Sequence, residues 1–215
     1  MPGGNLTQIF LEFPAGGGCA SGADIWNFID MAYLLEKYKK EVVPAMMKEF
    51  NYRNAMEVPR LEKVAVNCGY GRIVSGKTKD EQKKIQEAIV RDLTQICGQK
   101  ALVTKARTSI SSFKIREGQS IGSKLTLRRS RMYDFLERVI TVALPRSRDF
   151  QGIPSTGVDQ FGNLTFGIKE HIAFPEVSPE KINFIFSFEI TVVSTAKNRE
   201  EGVALFKALG FPIKA

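Results

Sequence analysis

Leu61-Glu62-Lys63-Val64-Ala65-Val66-Asn67-Cys68 is the stretch that decides the fold. Leu61, Val64 and Val66 are interrupted by Glu62, Lys63 and Asn67, as in a strand that turns one side to a core and the other to water. Parallel sheets covered on both faces are made of strands that read as continuous apolar runs, and this one does not.

Downstream, Thr78 and Glu81 have the spacing of a capping box, and Ile85, Ala88, Ile89, Leu93, Ile96 and Cys97 form one helical stripe that Gly98 brings to an end. Upstream, Leu34, Leu35, Tyr38, Val42 and Met46 recur at helical spacing between Ala32 and Phe50, with a kink expected at Pro44. Strands are expected at 101 to 105 and 120 to 128. A helix is expected from Arg131 to Leu144, ended by Pro145. After a Gly- and Pro-punctuated loop at 150 to 163 come strands at 164 to 169 and 183 to 194. A last helix begins at Asn198, has Glu201 three residues on, and stops at Gly210 before Pro212. Helices inserted irregularly among half-buried strands predict an α+β fold, with an antiparallel sheet covered on one face by helices.

The 215 residues suffice for one well-filled core, and 31 Lys and Arg against 23 acids give a net charge of +8, which favours a polyanionic partner. Residues 1 to 30 hold no Lys or Arg and read as an N-terminal extension, either disordered or a start-site artefact with translation beginning at Met31; 31 to 215 read as a single domain. The positive charge concentrates in residues 98 to 148, with twelve bases against Glu117, Asp134 and Glu137. These bases are mixed with Thr104, Thr108, Ser109, Ser111, Ser112 and Thr126, so charge and hydroxyl groups are available together for phosphates and ribose 2′-OH groups. A membrane surface would call for a basic amphipathic helix with a bulky apolar face, which this pattern lacks. No apolar run reaches about 18 residues, so a cytosolic protein is expected. Cys19, Cys68 and Cys97 are odd in number and form no C-x-x-C pair, which argues against a disulfide framework or a zinc site; no cofactor or metal is expected.

One motif points elsewhere. Gly71-Arg72-Ile73-Val74-Ser75-Gly76-Lys77-Thr78 satisfies G-x-x-x-x-G-K-[ST] between a strand and a helix, the setting of a nucleotide-binding P-loop. In that alternative Lys77 would meet the terminal phosphates and Thr78 a magnesium ion. Against it, no apolar strand ends in the Asp that would hold the metal, the repeated strand-helix units of a parallel sheet are missing, and Thr78 already has a role as a cap. Hydrolytic triads would have to use His171, the only histidine, and no nucleophile signature accompanies it. An enzyme is therefore not expected.

Several segments resemble, in order, the universal large-subunit ribosomal protein family that binds 5S rRNA, bacterial number five. They are Val58 to Gly71, Thr104 to Gly118, Gly122 to Arg128, Leu144 to Gly152, Phe166 to His171 with Phe174-Pro175-Glu176, Thr191 to Lys197, and Leu209-Gly210-Phe211-Pro212. The resemblance covers 31 to 215 nearly end to end. It implies a constituent of the large subunit's central protuberance that clamps 5S rRNA and contacts 23S rRNA, monomeric within the ribosome. Carried over by position, Asn67, Gln99, Thr126 and Arg128 would touch 5S rRNA, joined as RNA-binding residues by Lys63, Lys100, Lys124 and Arg129. The loop from Lys105 to Gly118, with Arg107, Thr108, Ser109, Ser111, Phe113 and Lys114, would reach the P-site tRNA elbow. Arg146 and Arg148 would face a small-subunit head protein across an intersubunit bridge. The family usually has an Arg-bearing Asp-Gly-x-Gly-Asn stretch where this chain has Asp159-Gln160-Phe161-Gly162-Asn163, so that arginine's contact has no counterpart here.

Overall fold

The computed structural model describes residues 33–148, 150–177 and 184–214; the expectations for residues 1 to 30 lie outside them. β1 (Leu61–Gly69) is the strand expected from the alternation, with Val64, Val66 and Cys68 buried and Glu62, Asn67 and Gly69 exposed. The three-residue step from Leu61 to Val64 breaks strict alternation. It marks a register shift against the neighbouring strand between Leu61 and Lys63, which keeps both apolar residues inward.

β1 is the middle strand of a five-stranded sheet with β2 (Leu102–Lys105), β3 (Ser120–Leu127), β4 (Leu164–Ile168) and β5 (Phe188–Ser194), in the order β2-β3-β1-β5-β4. Every neighbouring pair is antiparallel. Directly opposed residues share a face, so the register sorts the sheet into two surfaces. Val66 stands between Leu125 and Ile190, and Val64 between Leu127 and Val192, on the inner surface. Asn67 stands between Lys124 and Glu189, and Ala65 between Thr126 and Thr191, on the outer one.

The helices are α1 (Tyr33–Lys37), α2 (Val43–Phe50), the single turn α3 (Gly71–Val74), α4 (Lys79–Cys97), α5 (Ser130–Arg138), the short α6 (Leu144–Arg146) and α7 (Arg199–Leu209). Ile85, Ile89, Leu93 and Ile96 of α4, Phe135 and Leu136 of α5, and Leu205 and Phe206 of α7 share one buried cluster with the inner strand residues. Each such side chain contributes roughly 1.5–3 kcal/mol by leaving water. The capping box forms as expected: the Thr78 N–H donates to Glu81 Oε2 at 3.1 Å, and that bond holds the Glu81 carboxyl below the ordinary carboxylate range.

Two boundaries differ from expectation. Pro145 does not end its helix. A π turn, Val139–Ala143, precedes it, and the Leu144 N–H donates to the Val139 carbonyl five residues back. The same arrangement precedes Pro44, where Tyr38–Val42 is a π turn and the Val43 N–H reaches the Tyr38 carbonyl. A proline in a regular helix lacks its N–H and collides with the carbonyl four residues earlier; one wider turn just before it relieves both problems, and the helix continues. β5 begins at Phe188 rather than 183, which itself lies outside the described residues. Ahead of it the Phe186 N–H donates to His171 Nδ1 at 3.5 Å and the two rings stack at 4.1 Å, so this backbone is held by a side chain rather than by a strand. His171 is fully buried, and burial lowers its pKa.

Candidate nucleic-acid interface

The outer surface of the sheet is largely polar because Lys63, Ala65 and Asn67 of β1 and the residues opposite them point that way. Lys124, Asn67 and Glu189 form one row across β3, β1 and β5; Thr126, Ala65, Thr191 and Thr165 form the next across β3, β1, β5 and β4. Lys63, opposite Val193, continues the surface. Thr165 Oγ1 and Thr191 Oγ1 are hydrogen-bonded at 3.3 Å, which fixes two hydroxyls on β4 and β5. At the centre, Ala65 between Thr126 and Thr191 has only a methyl group.

The end of α4 adds to this surface. Gly98 caps the helix at φ 65°, a left-handed conformation that favours glycine, and turns the chain back toward β3. Gln99 Nε2 then donates to the Thr126 carbonyl at 3.4 Å, and Lys100 follows, exposed. Arg128 and Arg129 are exposed beyond the end of β3, Arg129 at φ 55° and ψ −135°, a conformation an L-residue rarely adopts. Among the described residues, none of Lys63, Lys100, Lys124, Arg128 and Arg129 is in an ion pair. The structure thus brings Lys63, Asn67, Lys124 and Thr126 onto one face, with Gln99 bonded to the same strand as Thr126. Thr165, Thr191 and Glu189 also belong to this face and were missed in the sequence; the phase of alternation in β5 relative to β1 is the signal that could have found them.

The segment between β2 and β3 is a protruding arm. Its base is closed by Ala106 and Gln119 and its middle by paired bonds between Ile110 and Ile115, with the isolated bridge there standing in for a ladder. The Lys114 N–H donates to the Ser111 carbonyl, so Ser111, Phe113 and Lys114 lie in the turn at the tip, while Lys105, Arg107, Thr108 and Ser109 are exposed along the way. Phe113 is 66% exposed at this tip. Arg146 and Arg148 are exposed at and just beyond the end of α6, away in sequence from both groups. Not every base of the middle third is available, because Arg138 of α5 is ion-paired with Glu176.

The G-x-x-x-x-G-K-T segment is not arranged around an anion. Gly71–Val74 is a helical turn, the Ser75 N–H bonds to the Gly71 carbonyl and the Lys77 N–H to the Val74 carbonyl, and the Thr78 N–H is taken by Glu81. A P-loop needs such N–H groups pointing at phosphate and needs a parallel sheet behind it; here the donors are used internally and the sheet is antiparallel. Lys77 Nζ lies over the Phe184 ring, 5.0 Å from its centroid. Cys68 and Cys97 are free and buried, each thiol pushed up to about 12 by burial.

A one-sided antiparallel sheet with hydroxyls, an amide and cations outside any described ion pair on its open face, and a basic arm between two of its strands, is the surface of a structural RNA-binding protein. Comparison with known proteins makes the class specific. Residues 54–116 match the family model for ribosomal protein L5, and residues 120–213 match the model for the C-terminus of the same ribosomal family. The chain is 48% identical over 184 residues to the large ribosomal subunit protein uL5 of Geotalea daltonii, covering 86% of this chain and 99% of that one. It is 49% identical over 181 residues to that of Syntrophotalea carbinolica, covering 84% and 95%, and 50% identical over 188 residues to that of Fervidobacterium nodosum, covering 86% and 99%. The chain belongs to the ribosomal protein L5 family.

Proposed function

We propose that the protein is a structural constituent of the large ribosomal subunit that binds 5S rRNA and 23S rRNA in the central protuberance, working on cytoplasmic ribosomes as a single copy. The observation that carries this reading is the open sheet face, where Lys124, Asn67 and Thr126 stand side by side and no described ion pair engages the surrounding cations. Lys63, Lys100, Lys124, Arg128 and Arg129 lower the repulsion between packed phosphates, while Asn67, Gln99 and Thr126 fix the register of the RNA with directed hydrogen bonds. No bond is made or broken.

Two finer assignments belong to the same reading. The arm, with Lys105, Arg107, Thr108, Ser109, Ser111, Phe113 and Lys114, faces the elbow of the P-site tRNA; an exposed phenylalanine at a basic tip suits stacking on an unpaired base. Arg146 and Arg148 meet a small-subunit head protein across the subunit interface. The replaced arginine of the family's Asp-Gly-x-Gly-Asn turn is here Phe161, 70% exposed, on a turn that Asp159 Oδ1 braces by accepting from the Phe161 and Asn163 N–H groups.

A gel shift with 5S rRNA tests the reading, with Arg128→Ala beside the unaltered protein. Loss of about 1–3 kcal/mol of binding is expected if Arg128 is a desolvated RNA contact. No shift with 5S rRNA, or RNA binding without co-sedimentation with large subunits, would place the protein outside the ribosome.

A further inference from the structure

β2 and β4 are the two edges of the sheet, and they are finished differently. Alongside β4 the chain covers part of the edge, with Val158 in an isolated bridge to Leu164. β2 has no such cover: among the described residues its backbone pairs with β3 alone, none of its four side chains is fully buried, and Leu102 is 64% exposed. An edge strand of this kind leaves alternate N–H and C=O groups unused, which is a template for one more strand.

Beside this edge lies an apolar hollow of about 510 Å³. Val103 is opposite Ser123, itself opposite the buried Cys68, so Val103 turns to the inner side of the sheet. There Val103 and Ala101 line the hollow together with Val90 and Thr94, which stand four residues apart on one side of α4. Thr94 Oγ1 donates to the Val90 carbonyl at 2.6 Å, so this hydroxyl is satisfied within the helix. Cations surround the floor. Lys100 just before β2, Lys105 at its end and Arg91 of α4 are exposed, and the only acid in the described lining is Glu87. Arg91 has Asp92 as a partner at 3.4 Å; neither lysine is in a described ion pair.

These features select the occupant. A peptide strand laid along β2 uses the free backbone groups and sends every second side chain into the hollow. A nucleic-acid strand has no amide ladder to offer an edge, and the lining holds no aromatic ring on which a base could stack. A second copy of this chain, at net +8, would bring Lys100 and Lys105 of both copies to one interface, where like charges oppose pairing. A segment with carboxylates flanking its apolar residues matches both the floor and the rim.

We infer that the open edge of β2 is a docking site for an extended, acidic segment of another protein, which adds a sixth strand to the sheet and seats alternate apolar side chains between β2 and α4. The inference goes beyond RNA binding. Lys100 and Lys105 belong to both readings, but the hollow lies on the inner side of β2, away from the sheet face proposed for RNA, and Val90 belongs to this site alone.

The test uses the full chain and a short labelled peptide in which valine and threonine alternate between a pair of glutamates at each end, read by fluorescence anisotropy. Saturable binding is expected below about 1 mM. Methylating every second backbone nitrogen should weaken binding about tenfold for the set that faces β2 and hardly at all for the other set. Lysines in place of the glutamates should also cost about tenfold. Val90→Asp, which puts a carboxylate on the apolar floor, should lower peptide affinity about tenfold and leave 5S rRNA affinity within about twofold. The altered peptides probe the same site in the unaltered protein, so the test does not depend on the stability of the variant. No saturable binding below that concentration, equal affinity of the two methylated sets, a lysine peptide that binds as well, or an unchanged affinity in Val90→Asp overturns the inference. A matching loss of polyuridylate binding in Val90→Asp would assign the hollow to RNA, and a dimer of the peptide-free protein that Val90→Asp abolishes would assign it to a second copy; either overturns the inference too. Failure of the unaltered protein to bind 5S rRNA is a separate result and counts against the proposed function alone.

Discussion

Asn67 of β1 and Lys124 of β3 are directly opposed on the uncovered face of the sheet, an amide beside an ammonium group with no described ion pair at the lysine. A lysine that meets a phosphate there contributes charge with little sequence information, whereas an amide contributes direction. Lys124→Ala should therefore weaken 5S rRNA binding almost uniformly across RNA variants and lower the salt slope by about 1, while Asn67→Ala should leave the slope unchanged and reduce discrimination. Filter binding at several salt concentrations separates the two effects, and equal slopes for both variants would contradict the division of roles.

Arg129 holds φ 55° and ψ −135° between β3 and α5, where a side chain is strained by about 1–3 kcal/mol. Arg129→Gly should raise the urea midpoint and at the same time weaken RNA binding. A lower midpoint in the variant would show that the arginine side chain stabilises the free protein more than its backbone strains it.

Gly202 of α7 lies against Gly162 so closely that a Cβ on Gly202 would be 2.5 Å from the Gly162 Cα. This contact seats the 159–163 turn on the helix. Gly202→Ala must move the helix or the turn, and a loss of about 1–3 kcal/mol is expected from overpacking, read from urea unfolding. Unchanged stability would mean that the turn can lift away freely.

His171 is buried against Phe186, and burial lowers its pKa below the ordinary 6.5. Asp92 and Glu170 pull the other way without reversing the direction. The unfolded chain takes up a proton at this residue as pH falls through 6.5 while the folded protein does not, so stability contributed by the neutral ring is present above that pH and declines below it. The decline between pH 7 and pH 5 should be shallower in His171→Phe, measured by denaturant unfolding at each pH. An identical pH profile in the variant would mean that other groups account for the whole dependence.

Much of this was legible in the sequence because each signal was local. The alternation of β1, the Thr78 and Glu81 pair and the stripe from Ile85 to Cys97 depend on neighbours a few residues apart, and they placed β1 and α4 nearly to the residue. The end at Pro145 was misread because the π turn that accommodates the proline has no residue signature of its own. β5 was expected to start too early because the backbone ahead of Phe188 is held in part by His171, a partner no local pattern could supply. For the interface, composition located the bases but not their grouping. Only the register joins Asn67 to Lys124 and Ala65 to Thr126, and that same register adds Thr165 and Thr191, which carry no charge to draw notice.

The most direct test is a titration of the protein with 5S rRNA between 50 and 200 mM salt, alongside the double variant Asn67→Ala with Lys124→Ala. If about 6 to 10 phosphates are neutralised, affinity of the unaltered protein should fall on the order of a thousandfold or more over that range. The double variant should bind at least about tenfold more weakly at every salt concentration, as expected for loss of two direct contacts. Salt-independent binding, or a double variant that binds as the unaltered protein does, would contradict an RNA interface on the open face of the sheet.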